Sequence, residues 1–93
     1  MVVGICEIEV LIPQSSSLKE KRIVIKSIKD KISNRFNVSI AEVGYQDKWQ
    51  RALLGVSKVS NDTISIEKVF DFIDKLIIAD GRMEIINWNE KFV

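Results

Sequence analysis

The chain has 93 residues, of which 46% are hydrophobic and 29% charged, proportions that suit one soluble domain with a single core. Its formal net charge is +1, and it contains one cysteine and no histidine. Without histidine there is no Ser-His-Asp triad, no Cys-His pair and no histidine-ligated zinc ion, and one cysteine cannot form an internal disulfide. We therefore expect a single domain over residues 1–93 in a reducing, cytoplasmic setting.

The first segment, residues 2–12, alternates apolar residues with Glu7 and Glu9. This period of two predicts a half-buried strand, and the two carboxylates and the lack of a basic leader argue against a signal peptide. No run in the chain approaches the roughly 18–20 apolar residues that a membrane-spanning helix needs, so no membrane partner is expected. Cys6 falls on the apolar side of the strand and is predicted to be an ordinary buried thiol.

The first helix is predicted to begin after Pro13, where Ser17 and Glu20 form a capping-box pattern. Its apolar side is formed at helical spacing by Leu18, Ile25, Ile28, Ile32 and Phe36. Two strands follow at residues 38–45 and 51–59, and the short link between them predicts an antiparallel hairpin.

The second half of the chain repeats the pattern of helix and strand. Cap residues at 60–63 precede a second amphipathic helix, which Asp80 and Gly81 close, and residues 82–92 form the last strand. The order β-α-β-β-α-β is the split βαβ arrangement of ferredoxin-like domains. The sequence therefore predicts an α+β, ferredoxin-like sandwich, with a four-stranded antiparallel sheet and both helices on one face. The other face is left open to water or to a partner.

Positive charge is concentrated around the first helix. Residues 14–37 hold seven Lys or Arg against two acidic side chains, a local charge of +5, whereas the other residues hold seven basic and eleven acidic side chains, a charge of −4. Four of the basic residues, Lys19, Arg22, Lys26 and Lys29, stand at spacings of 3, 4 and 3 and so share one helix face. We call them the basic stripe. Such a stripe can neutralise the phosphates of a nucleic acid; the alternative is a solvated face that keeps the protein soluble.

The link between the hairpin strands is a second candidate site. It carries Trp49 and Arg51, residue types that are enriched at interfaces and at stacking surfaces. The competing interpretation, which we favour for Trp49, is that it covers one end of the core. Trp88 in the last strand is expected to pack against the sheet.

Three carboxylates, Glu7, Glu9 and Glu42, are expected to share the open face of the sheet. We favour ion pairing with a basic residue such as Arg51, or with a partner subunit, over a metal or acid–base site. The first and third strands lack the aromatic residues on which an RNA-recognition motif stacks bases. We assign no catalytic residue, no metal ligand and no cofactor, and an enzyme or a small-ligand sensor is the least favoured function.

Four separated motifs resemble the YlxP-like family of small bacterial proteins, a domain of unknown function. They are SLKEKR (17–22), RFNVSIAEVG (35–44), QDKWQRA (46–52) and VSND (59–62), and the resemblance covers nearly the whole chain. It implies a ferredoxin-like fold and no established activity or catalytic residue. Genes of this family often lie beside those for translation initiation factor two and a ribosome-binding factor, which implies a role near the ribosome or its assembly.

Charge and resemblance together favour a non-catalytic binding module that acts near RNA or the ribosome. The basic stripe would contact phosphates, and Trp49 and Arg51 would add stacking or a partner contact. The alternative is a homodimer, or a protein-interaction module, that uses the open face of the sheet.

Overall fold

The computed structural model describes residues 1–93 and contains six elements in the predicted order. They are β1 (Val2–Leu11), α1 (Leu18–Arg35), β2 (Ser39–Gly44), β3 (Arg51–Ser60), α2 (Thr63–Asp80) and β4 (Glu84–Phe92). The strands form one sheet in the order β2-β3-β1-β4, and each neighbouring pair is antiparallel. Both helices pack on one face of this sheet. The predicted ferredoxin-like architecture is confirmed.

Both helices begin at the cap residues that the sequence indicates. Ser17 Oγ accepts the backbone N–H of Glu20 at 3.1 Å, which is one half of a capping box. In the other half, the Glu20 carboxylate accepts from the backbone and hydroxyl of Ser16 rather than from the N–H of Ser17, and these bonds lower the pKa of Glu20. At α2, Asp62 Oδ1 accepts the N–H of Ser65 at 2.7 Å. Neither helix is long and apolar enough to cross a membrane.

One core lies between the sheet and the two helices. Alternate residues of β1 and β3 and the inner faces of α1 and α2 supply it, because the strand period of two and the helix period of 3.6 each bring apolar residues to one side. Its buried members include Cys6, Ile8, Val10, Ile25, Ile28, Ile32, Ala52, Leu54, Val56, Ile66, Phe70, Ile73 and Ile77. Each large side chain buried here contributes about 1.5–3 kcal/mol relative to exposure.

Two glycines are required, one by backbone conformation and one by packing. Gly81 ends α2 with φ of 81°, a left-handed conformation that side chains rarely adopt. Gly4 in β1 lies directly under α2, where an added Cβ would overlap Ile66 Cγ2 and press on the ring of Phe70 at 3.2 Å. The missing side chain at Gly4 therefore sets how closely α2 approaches the sheet.

The element boundaries differ from the predicted ones by one or two residues. β4 begins at Glu84 rather than at Arg82, because the backbone N–H of Arg82 donates to Asp80 Oδ1 at 3.3 Å and belongs to the turn after α2. β1 ends at Leu11, and β2 runs only from Ser39 to Gly44. Tyr45, predicted to end that strand, has φ of 58° and leaves strand geometry.

The face of the sheet away from the helices has no element packed on it. Register and burial place on it Ile5, Glu7, Glu9, Val43, Arg51, Leu53, Val59 and Lys91. Two of the apolar side chains, Val43 and Val59, are more than half exposed. This open face is therefore mixed, with apolar and charged residues interspersed and Glu7 near its centre.

Candidate functional site

The basic stripe lies along the side of α1 that borders β2. Lys19, Arg22 and Lys26 are exposed, and Lys29 is half-buried. The side chains of Arg22, Lys26 and Lys29 line one open depression of about 370 Å³, with Glu42 of β2 at its border. Lys19 lies one turn before Arg22, outside that depression. Three of the four predicted residues thus share one surface, and the fourth extends it toward the start of the helix.

One acidic side chain neutralises part of the stripe. Asp30 Oδ2 lies 2.8 Å from Lys26 Nζ, and both side chains are exposed. The hydrogen bond to Asp30 raises the pKa of Lys26. Exposed pairs of this kind contribute little to stability. A phosphate that approaches Lys26 can therefore replace the carboxylate at small cost.

Lys21 is completely buried, although it stands among the exposed basic residues of α1. Its ammonium donates to the backbone carbonyls of Tyr45 at 2.8 Å, Gln46 at 3.4 Å and Arg51 at 3.1 Å. The carboxylate of Glu42 lies 2.8 Å away. We call this arrangement the Lys21 latch. It joins α1 to the hairpin of β2 and β3 through backbone carbonyls of the link and of Arg51.

The Glu42 contact is an ion pair without hydrogen-bond geometry. The Lys21 ammonium has hydrogen-bond geometry toward three carbonyls, whereas Glu42 Oε2, although 2.8 Å from it, has no hydrogen-bond partner. Lys21 therefore adds nothing to the surface charge of the helix, contrary to its place in the local charge of +5. The signal was available, because Lys21 stands three residues after Leu18 and four before Ile25, on the apolar side of the helix.

The three carboxylates predicted on the open face do not lie together. Glu42 is on the helix side of β2, since it pairs with buried Leu54 in the register of β2 and β3, and its predicted position is wrong. Glu7 is exposed on the open face. Glu9 Oε2 lies 3.0 Å from Arg51 Nε, so the predicted pairing with Arg51 is confirmed for this residue. Glu42 instead pairs with Lys21 of α1.

The two tryptophans differ in burial. Trp49 is 56% exposed, so the expectation that it covers the core is wrong; it lies in the link beyond the end of the sheet. Trp88 is half-buried against the core, as predicted, and its Nε1 donates to Glu90 at 2.6 Å. Trp49 instead lines an open depression of about 580 Å³. Both residues of the predicted interface, Trp49 and Arg51, border this depression.

A second ionic cluster, which the sequence analysis missed, lies at the end of α2. Asp80 accepts from Arg82 Nε at 2.7 Å and Nη2 at 2.8 Å, and Lys31 Nζ of α1 lies 3.1 Å away. Arg82 Nη2 also donates to Ser27 Oγ at 2.9 Å. We call this the Asp80 cluster. The hydrogen bonds from Arg82, together with that from Lys31, hold the pKa of Asp80 well below its usual range.

Cys6 is buried in the middle of β1 and has no cysteine partner. Burial, with a smaller contribution from nearby carboxylates, raises the pKa of its thiol to about 12. The reactive form of cysteine is the thiolate, which is almost absent at neutral pH with such a pKa. The prediction of an ordinary buried thiol is confirmed.

Fold and surface define a small α+β protein of the ferredoxin-like class, with a basic helix face and an open sheet. Residues 3–90 match the family described as "Protein of unknown function (DUF503)", and the chain belongs to that family. It is 47% identical over 91 residues to the "Uncharacterized protein YlxP" of Bacillus subtilis (strain 168), a match that covers 94% of this chain and 99% of the relative. The resemblance drawn from the four motifs is confirmed.

Solved structures with the same architecture include designed proteins. A de novo designed protein with a ferredoxin fold superposes with a TM-score of 0.59 at 13% identity, covering 100% of this chain and 84% of that one. The de novo designed protein Foldit4 gives a TM-score of 0.50 at 15% identity, covering 100% of this chain and 97% of that one. At such low identity these likenesses show the fold alone.

Proposed function

We propose that this protein is a non-catalytic module that binds RNA, at or near the ribosome, through the basic stripe of α1. The observation that carries the proposal is the common surface that Arg22, Lys26 and Lys29 form beside β2. Lys19 extends it by one turn toward the helix start. Successive turns of a helix are about 5.4 Å apart, so each cation can meet a different phosphate of one strand.

The distribution of charge supports RNA as the ligand. Without the buried Lys21, the basic segment 14–37 still carries +4 on a chain whose remainder carries −4, so the molecule has a positive side around α1. Such an asymmetry orients the positive side toward a polyanion and speeds the encounter. Among the four stripe residues, only Lys26 is engaged in an ion pair. The other cations are free to neutralise phosphates.

Co-sedimentation with purified ribosomal subunits tests the proposal. We expect the protein to bind at low salt and the variant Lys19→Glu/Arg22→Glu/Lys26→Glu to lose binding. With four phosphate contacts on a single strand, affinity should fall by about 50-fold between 50 mM and 200 mM salt. Binding that is indifferent to both salt and charge reversal contradicts the proposal.

A matched control separates a local site from net charge. The variant Lys68→Glu/Lys75→Glu/Lys91→Glu makes the same change in total charge at exposed lysines of α2 and β4, outside the basic stripe. It should retain most of the binding. Equal loss of binding in both variants would mean that binding depends only on the overall charge of the protein and not on the basic stripe.

The open face of the sheet favours a second candidate, a homodimer formed through this face. The exposed Val43 and the half-buried Leu53 lie toward one end of this face and the exposed Val59 at the other, and Glu9 and Arg51 supply both signs of charge to it. Such a face is self-complementary. Strands about 4.8 Å apart with a rise of about 3.3 Å per residue present roughly 550 Å² on four strands. Two copies would bury roughly 1,100 Å², just above the smallest specific interfaces.

Sedimentation velocity over a concentration series tests the homodimer. A dimer should dissociate on dilution, and Val43→Glu should shift the equilibrium to monomer because it buries an unpaired charge in the interface. A monomer at every concentration contradicts this candidate and leaves the RNA proposal unaffected.

A further inference from the structure

We infer that the link between β2 and β3 is a stacking site for an unpaired nucleobase, with Trp49 as the stacking surface and Lys48 as a phosphate contact. The inference rests on the proposed function, since the stacking site would give the bound RNA a second point of contact beside the basic stripe. It goes further by naming the class of RNA. Bases are available for stacking in single-stranded segments and are not available inside a duplex.

The first observation is the exposure of Trp49. More than half of its side chain faces water, although the indole ring is among the largest apolar groups in a protein and is usually covered. The ring does not pack into the core, to which Trp88 contributes instead. The bases of single-stranded nucleic acids stack on exposed aromatic rings of this kind.

The second observation is that the link is held rigidly from one side by the Lys21 latch. The buried ammonium of Lys21 binds three carbonyls, two at the start of the link and one at Arg51 just after it. The backbone N–H of Lys48 donates to Tyr45 O at 3.0 Å and closes a turn. Trp49 therefore follows directly on a turn whose position is fixed by a buried cation.

The link is held from the other side by Gln50. Its Nε2 donates to the carbonyls of Pro13 at 3.2 Å and Ser15 at 3.0 Å, and its own carbonyl accepts the N–H of Ile12 at 2.8 Å. Trp49 is thus exposed on a preformed frame rather than on a loose loop. A ligand that stacks on such a frame has little conformational entropy to remove, which favours binding.

The third observation is the composition of the depression beside Trp49. Its volume of about 580 Å³ lies in the range of small-molecule sites. Leu11 and Trp49 are its two apolar members, and Lys48, Gln50 and Arg51 are polar or charged. An aromatic ring can stack on a base, and a neighbouring cation can contact the phosphate of the same nucleotide. An anchor for a partner protein would instead need apolar neighbours around the ring.

The two cations have different parts in this site. Arg51 is held by Glu9 at 3.0 Å and lies over the Tyr45 ring at 5.2 Å, so it is fixed in place. Lys48 is exposed and forms no ion pair. Lys48 is therefore the residue free to meet a phosphate, and Arg51 shapes the wall of the depression.

Tryptophan fluorescence in the variant Trp88→Phe provides the test, because Trp49 is then the one tryptophan in the chain. We expect a single-stranded oligouridylate of about eight nucleotides to quench this fluorescence, and we expect a blunt-ended RNA duplex to leave it unchanged. Measured by anisotropy of labelled RNA, Trp49→Leu should weaken binding of the oligouridylate by about ten-fold. Trp49→Phe should retain most of the affinity, since it keeps a ring.

The control Phe72→Leu removes another exposed aromatic side chain, on α2, and should not change RNA binding.

If Trp49→Leu binds the oligouridylate like the unmodified protein while charge reversal of the stripe abolishes binding, the stacking site is overturned and the proposed function stands. If Trp49→Leu alone weakens binding, the stripe proposal fails and the stacking site stands. Absence of RNA binding overturns both. Quenching that follows protein concentration without RNA assigns Trp49 to a contact between copies and overturns the inference.

Discussion

Two ionic clusters hold α1 in the molecule, and they are built in opposite ways. In the Lys21 latch, a buried cation is surrounded by acceptors, three of which are backbone carbonyls. In the Asp80 cluster, a buried carboxylate is surrounded by donors from the side chains of Arg82 and Lys31. The latch joins α1 to the hairpin of β2 and β3. The Asp80 cluster joins the other end of α1 to the end of α2.

The difference determines how each cluster responds to its surroundings. Backbone carbonyls do not titrate, and those of the latch surround a side chain that water does not reach. The Asp80 carboxylate does titrate, and its partners Arg82 and Lys31 are partly exposed to solvent. We therefore expect the latch to make the larger contribution to stability, and we expect acid to weaken the Asp80 cluster.

The largest effect is expected from Lys21→Met. The substitution keeps a long side chain but leaves Glu42 and three carbonyls without the ammonium, so the free energy of unfolding should fall by about 3–5 kcal/mol, as for other broken buried pairs. Urea denaturation followed by circular dichroism measures it. The control Lys31→Met, at the exposed edge of the Asp80 cluster, should cost less than about 1 kcal/mol. Equal losses would refute the contrast between the two clusters.

A smaller loss is expected from Asp80→Asn. Asparagine offers one acceptor oxygen in place of two, so the paired bonds from Arg82 cannot both form, and about 2 kcal/mol should be lost. Urea denaturation at pH 7 measures the change. Asp30→Asn, which removes the exposed partner of Lys26, is the matched control and should cost less than about 0.5 kcal/mol.

The same carboxylate predicts a pH dependence. Because Arg82 and Lys31 lower the pKa of Asp80 in the folded state, the unfolded chain binds more protons in acid. The stabilising contribution is present above the unfolded pKa of about 3.9 and is lost as pH falls toward the folded value. Between pH 4 and pH 2 the unmodified protein should lose about 1–2 kcal/mol more than Asp80→Asn does. Parallel stability profiles for the two proteins would disprove this role of Asp80.

The smallest effect is expected from Glu42→Gln. The Lys21 ammonium keeps its three carbonyl acceptors, and the amide oxygen of Gln replaces the carboxylate near it, so about 1 kcal/mol should be lost. Urea denaturation of Glu42→Gln and Lys21→Met under the same conditions shows which variant loses more free energy of unfolding. A loss as large as that of Lys21→Met would mean that the ion pair, and not the set of carbonyls, holds the latch together.

Most of the fold could be predicted from the sequence because its signals are local. Alternation in residues 2–12, the caps at Ser17 and Asp62, and Gly81 after the second helix each depend on neighbours in the chain. The order of elements then leaves few topologies. The errors lie at element ends, where Tyr45 and Arg82 make turn contacts that a strand pattern does not reveal.

The candidate site was harder to predict because it depends on contacts between distant segments. The spacing of Lys21 puts it on the apolar side of the helix, but its carbonyl partners lie 24 to 30 residues away and have no signal in the local pattern. Glu42 was grouped with Glu7 and Glu9 by charge, although its position two residues after Ile40 assigns it to the helix side of β2. The exposure of Trp49 depends on the anchored link and has no signal in the local pattern.

The burial of Cys6 makes the protein its own probe of core opening. Its thiol lies on the helix side of β1, inside the core between the sheet and the helices, and is almost never ionised while the fold is closed. A thiol reagent can therefore modify the chain only in molecules whose core has opened at this position. The labelling rate, divided by that of an unfolded cysteine, gives the population of this open form under native conditions. One cysteine, with no added label, reports how firmly the helices and the sheet are held together.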